Sequence, residues 1–165
     1  MDSWALTDHG NGNGLAHAHV GAQAAKKRGQ KYRQLNGVEF YFVPDLDVWR
    51  QQHTAHKEEQ ALNKAAKKRV TISSDDEQGG LVIEDENATK KGLIGKPEWK
   101  KYYHLIVIAK NRKGLENLFT LVKKSYRDGF YRFPRIDFKL LKEHGEGLVV
   151  STACVGGFAA GEIFR

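Results

Sequence analysis

The sequence predicts an α/β fold of repeated strand-then-helix units, most simply a barrel whose functional groups gather at the C-terminal ends of its strands. Three observations carry that expectation. Tyr103-His104-Leu105-Ile106-Val107-Ile108-Ala109 is a nearly continuous apolar run, the pattern of a strand buried on both faces in a parallel sheet. Beyond it Leu115, Leu118, Phe119, Val122 and Tyr126 recur at i, i+3, i+4, i+7 and i+11, one apolar stripe on a helix that Gly129 closes. The chain also opens with a strand, a glycine-rich turn and a helix in that order.

Along the chain, Trp4-Ala5-Leu6-Thr7 is a short apolar strand running into Asp8-His9-Gly10-Asn11-Gly12-Asn13-Gly14, where glycine and asparagine concentrate as they do in turns. Residues 15–28 are alanine-rich and end in Lys26-Lys27-Arg28 before Gly29, cations and a C-cap suited to a helix end. Gly37-Val38-Glu39-Phe40-Tyr41-Phe42-Val43, bounded by Gly37 and Pro44, reads as a second strand, and period two puts Glu39, Tyr41 and Val43 on one face. From 45 to 101 the composition turns charged: a helix over 49–68, then Ser73-Ser74-Asp75-Asp76-Glu77 and Glu84-Asp85-Glu86. This stretch is expected to be an insertion, partly mobile. After the 103–109 strand and its helix, Asp137 N-caps a short helix through His144, and Gly147-Leu148-Val149-Val150-Ser151 forms a further strand. A full barrel typically needs ~250 residues, so the 165 present give an incomplete one.

Hydrophobic residues make up 40% and charged residues 28%, which excludes a largely disordered chain and fits one folded domain. The net charge of +7 and pI near 9.4 favour an anionic partner, nucleic acid or a phosphorylated substrate. Runs such as Lys26-Lys27-Arg28 and Lys67-Lys68-Arg69 serve equally well as solvated helix faces. Cys154 is the sole cysteine, so no intramolecular disulfide forms and a reducing, cytoplasmic setting is expected. No apolar stretch reaches the ~18 to 20 residues of a membrane span, and Met1-Asp2-Ser3-Trp4 lacks an export pattern, so no membrane partner is expected.

His9, Glu39, His104 and Cys154 lie on or beside four separate predicted strands, and imidazole, carboxylate and thiolate are the donors that zinc or manganese sites use. Singly each has a plainer account, a hydrogen-bonding histidine or a small buried thiol. Glu39 is the most informative, because a carboxylate among Val, Phe and Tyr is costly to bury unless paired or metal-bound. Asp8 is a candidate to orient His9 by accepting from its second ring nitrogen; the plainer role is a loop cap. His17 and His19 stand two apart on a helix and point about 200° apart, so they do not chelate one ion. His53 and His56 share a face of the charged helix and are read as solvated. There is no phosphate-binding P-loop, serine elbow or dinucleotide fingerprint.

Ala5-Leu6-Thr7-Asp8-His9-Gly10-Asn11 resembles the second motif of the polymerase and histidinol phosphatase (PHP) family, in which the histidine is a metal ligand. Gly37-Val38-Glu39-Phe40-Tyr41 resembles that family's strand with a ligand glutamate, and Tyr103-His104-Leu105 its histidine-bearing strand. Lys110-Asn111 through Gly114-Leu115-Glu116-Asn117-Leu118, then Gly129-Phe130-Tyr131 with Pro134-Arg135-Ile136-Asp137, resembles the branch found in DNA polymerase III alpha subunits. Gly147 through Gly157 continues it, with Cys154 at a ligand position.

The resemblance implies an incomplete, distorted TIM-like (β/α)7 barrel of the PHP type, spanning 1–165 with the charged helical insertion at 45–101. It implies zinc, manganese or iron held by His9, Glu39, His104 and Cys154, with Asp8 behind them. The implied activity is metal-dependent phosphoester hydrolysis, in some members 3′-5′ exonuclease proofreading, within a DNA-directed DNA polymerase of the bacterial cytoplasm. The implied partners are DNA and the remaining polymerase domains or other replisome subunits. The family's opening His-x-His and closing Asp-x-His would fall outside residues 1–165, which implies a fragment that alone is a poor catalyst. The 45–101 stretch is reminiscent of bacteriophage versions. A stand-alone phosphatase of the family and a non-catalytic scaffold are the competing readings.

Overall fold

The computed structural model describes residues 3–72 and 98–163. In chain order its elements are β1 (Ser3–His9), α1 (Asn13–Lys27), β2 (Arg33–Phe42), α2 (Leu46–Ile72), a 3-10 turn (Glu98–Lys100), β3 (Tyr103–Ala109), α3 (Arg112–Asp128), β4 (Arg135–Ile136), α4 (Phe138–Glu143), β5 (Leu148–Ser151) and α5 (Phe158–Ile163). Contacts divide the chain into two units, Met1–Leu46 with Tyr102–Arg165, and Asp47–Lys101.

The first unit carries one sheet in the order β1-β2-β3-β5, and β4 adds to β2. β1 and β4 run parallel to β2, whereas β3 is antiparallel to both β2 and β5. Among the described strands β3 therefore runs alone against the rest, which corrects the expectation of a parallel strand over 103–109. The apolar run reports burial on two faces, and a central antiparallel strand meets that condition as well as a parallel one does.

Alternation along β2 separates two environments. Val38, Phe40 and Phe42 point into the core with Leu105 and Val107 of β3, and Leu118 and Leu121 of α3 are buried there too. Glu39 and Tyr41 point the other way. Phe42 meets the edges of Phe138 and Phe158 at ring-centroid distances of 4.7 and 5.5 Å, which ties β2 to the C-terminal helices.

Helix starts are fixed by side chains that occupy otherwise unpaired backbone N–H groups. The Asn111 side chain accepts from Gly114 N–H at 2.8 Å at the head of α3. Buried Asp137 accepts from Leu140 N–H at 2.8 Å, the expected N-cap of α4, and from Leu46 N–H at 3.1 Å, where α2 begins. Gly147, at φ +75°, crosses Gly114 so closely that a Cβ on Gly114 would collide with the Gly147 carbonyl.

In the second unit, Trp49 Nε1 donates to the Trp99 carbonyl at 2.9 Å, and His53 stacks on Trp49 with centroids 5.3 Å apart. Trp99 also packs against His56 at 4.9 Å. His53 and His56 are thus half-buried against tryptophan rather than solvated, a correction that the polar surroundings of the helix concealed. The acidic runs at 73–77 and 84–86 lie outside the described residues. Among those described, no helix is long and apolar enough to cross a membrane.

Candidate metal centre

Strand register assembles the site. His9 is the last residue of β1 and lies directly opposite Glu39 of β2, while His104, second in β3, lies opposite Tyr41. Directly paired and diagonal residues on one sheet face come within side-chain reach. His104 Nδ1 is 2.5 Å from Glu39 Oε1, and His9 Nδ1 is 3.5 Å from the same oxygen. One ligand atom from each of His9, Glu39 and His104 lies within 4.8 Å of the others, the one group of this kind among the described residues. The Glu39 side chain keeps 15% of its exposure, His104 28% and His9 61%, so the carboxylate lies deepest with an open imidazole above it.

Cys154 stands beside this group rather than inside it. Its Sγ is 4.0 Å from His104 Nδ1, on an exposed turn that follows β5. The turn is anchored to β3 by His104 N–H donating to the Gly156 carbonyl at 2.9 Å and is closed by Gly157 N–H to the Cys154 carbonyl at 2.8 Å. Ala153, just before the thiol, takes φ +57°, a conformation that costs a non-glycine residue free energy and that the surrounding turn enforces.

Asp8 does not orient His9. Consecutive strand residues point to opposite faces, and Asp8 Oδ2 instead accepts from Gly14 N–H at 2.7 Å in the first turn of α1. The plainer reading, a cap, is the one observed, and an anion at that helix start is also favoured by the helix dipole. On the Asp8 side of β1 lies an open groove of about 730 Å³ lined by Trp4, Leu6, Asp8, His17 and Tyr32, on the face away from His9. His19 contacts Gln23 at 3.5 Å on the exposed side of α1.

Aromatic rings, not foreseen as neighbours, wall one side of the centre. The Tyr41 ring is 5.8 Å from His104 and 6.3 Å from His9, Tyr102 stacks within 6.0 Å of His104, and Phe133 lies on Tyr41 at 4.6 Å. Burial, then the nearby Tyr102 and Glu39, push the Tyr41 hydroxyl above its ordinary pKa, so it is a neutral hydrogen-bond donor at neutral pH. Period two on β2 put Tyr41 beside Glu39 in the sequence, but nothing local signalled Tyr102 or Phe133, which arrive by tertiary packing. Imidazole, carboxylate and imidazole around one small space suit zinc, manganese or iron, so the donor set fits a divalent ion.

The sequence profile of the PHP domain matches residues 1–163. The chain belongs to the PHP domain family. Among relatives of this PHP domain, the DNA polymerase III subunit alpha of Treponema pallidum (strain Nichols) is 30% identical over 157 residues, 95% of this chain and 9% of the relative. That of Saccharopolyspora erythraea is 33% identical over 157 residues, 95% of this chain and 11% of the relative. That of Helicobacter pylori (strain ATCC 700392 / 26695) is 47% identical over 73 residues, 44% of this chain and 6% of the relative. The chain thus spans about a tenth of the length of the relatives that it matches almost throughout.

Proposed function

We propose that this PHP domain works as part of a replicative DNA polymerase III alpha subunit and that its metal centre hydrolyses phosphodiesters at the 3′ end of DNA. The observation that carries the reading is the meeting of His9, Glu39 and His104 on one sheet face, and the likeness to alpha subunits supplies the polymerase context. In this account His9, Glu39 and His104 are the protein ligands, with Cys154 as a fourth. A bound zinc, manganese or iron ion would supply hydroxide near neutral pH and polarise the phosphoryl oxygen.

The chain's own groups do the rest. Glu39, set between two imidazoles, fixes the orientation of both rings. The neutral Tyr41 hydroxyl is a donor for a phosphate oxygen. The basic excess of the chain holds the DNA backbone with a strength that falls as salt rises. The mixed sheet is, in this account, one portion of a PHP-type (β/α)7 barrel, and residues 45–101 are an insertion into it. The domain would act in the cytoplasm beside the other polymerase domains or replisome subunits.

The test is elemental analysis of the purified chain against a variant carrying Glu39→Ala and His104→Ala. Stoichiometric zinc, manganese or iron that disappears in the variant is the expected result. No metal in either protein would contradict a metal centre and favour a non-catalytic scaffold.

A further inference from the structure

Residues 123–135 hold five basic residues against one acidic, interleaved with Tyr126, Phe130, Tyr131 and Phe133. Tyr126, Phe130 and Phe133 keep 46%, 54% and 37% of their exposure, and Tyr126 stacks on Phe130 with centroids 5.7 Å apart. Single exposed aromatics are ordinary, but three in eight residues beside cations are a concentration. The segment is also held rigidly. Buried Arg135 donates from Nη1 to the carbonyls of Tyr131 at 2.7 Å and Phe133 at 2.8 Å, and Tyr131 and Phe133 exchange backbone hydrogen bonds of 3.2 and 2.6 Å. Between them Arg132 is forced to φ +59°, a strained conformation that leaves its side chain exposed.

The rigid segment abuts the metal centre. A Cβ on Gly10, the residue after His9, would lie 2.7 Å from Pro134 Cγ, and the Phe133 ring rests on Tyr41, which in turn neighbours His9 and His104. An exposed ring one residue from an exposed guanidinium, which lies over the Tyr131 ring at 5.6 Å, and one ring removed from candidate ligands for phosphoester chemistry, matches an unpaired nucleotide, whose base stacks and whose phosphate needs a cation.

We propose that the exposed face of Phe133 is a stacking platform for the base of the last unpaired nucleotide at a DNA 3′ end, with Arg132 on the adjoining phosphate. This rests on the proposed DNA-end hydrolysis and names its substrate subsite. The platform is sequence-tolerant, because every base offers a π face, and selects single-stranded ends, whose bases are free to stack.

The test is fluorescence anisotropy of the full chain with 5′-labelled oligothymidylates, one intact and one whose 3′-terminal nucleotide lacks its base, in the presence of a chelator. The wild type is expected to bind the intact end roughly 5- to 100-fold more tightly than the abasic end. Phe133→Leu, which keeps an apolar side chain over Tyr41, abolishes that ratio, whereas Phe133→Tyr preserves it. Arg132→Ala weakens both oligomers equally and flattens the salt dependence. Equal binding of the two ends by the wild type, no binding of either, or an unchanged ratio in Phe133→Leu would overturn the assignment. Because the chelator removes metal, a failed metal centre leaves this result intact, and a failed platform leaves the metal analysis intact.

Discussion

Two faces of the same strand show how this domain separates stability from chemistry. Val38, Phe40 and Phe42 are at most 1% exposed and meet apolar partners from β3 and the helices. One residue out of step, Glu39 and Tyr41 share the backbone ladder of those residues but face His9, His104, Tyr102 and Phe133. The packed face holds the register, and the register places the candidate ligands: a slip of one residue on β2 would exchange Glu39 for a core position. The contrast predicts that substitutions on the first face are read in stability and those on the second in metal and DNA binding.

Phe40→Ala should have the largest effect, a loss of roughly 3 to 5 kcal/mol in urea unfolding, because a fully buried ring leaves a cavity. A loss under about 1 kcal/mol would mean that the face is not packed as described. Asp137→Ala should come next, at roughly 2 to 3 kcal/mol, since it leaves two buried N–H groups, those of Leu46 and Leu140, without their acceptor. Asn111→Ala should lose about 1 kcal/mol, the usual value of an N-cap. Glu39→Gln, on the opposite face, should change the stability of the metal-free chain by about 1 kcal/mol or less, because the isosteric amide keeps an oxygen that accepts from an imidazole N–H. If Glu39→Gln destabilised as strongly as Phe40→Ala, the division between the two faces would fail.

The sequence disclosed the packed face more fully than the chemical one. The apolar run over 103–109 coincides with β3 and Asp137 caps α4; the stripe from Leu115 to Tyr126 falls on α3, but of it only Leu118 is fully buried while Phe119 and Tyr126 are exposed, and Leu121 packs in their place. Strand direction was not legible, because an apolar run carries no sign of its orientation. For the site, period two set Glu39 and Tyr41 side by side, and the family motifs singled out His9, His104 and Cys154, which the structure brings to one end of the sheet. Asp8 was misjudged in its partner because adjacency in sequence is not adjacency on a strand. Phe133 and Tyr102 had no local signal, since they reach Tyr41 and His104 by tertiary packing.

The central claim, that His9, Glu39 and His104 form a metal centre, is tested most directly by thermal unfolding of the metal-stripped chain with and without added zinc. An ion that binds only the folded state should stabilise the wild type, by about 2.7 kcal/mol at a hundred times its dissociation constant, and should not stabilise Glu39→Gln. Equal stabilisation of both proteins, or none in the wild type, would contradict it.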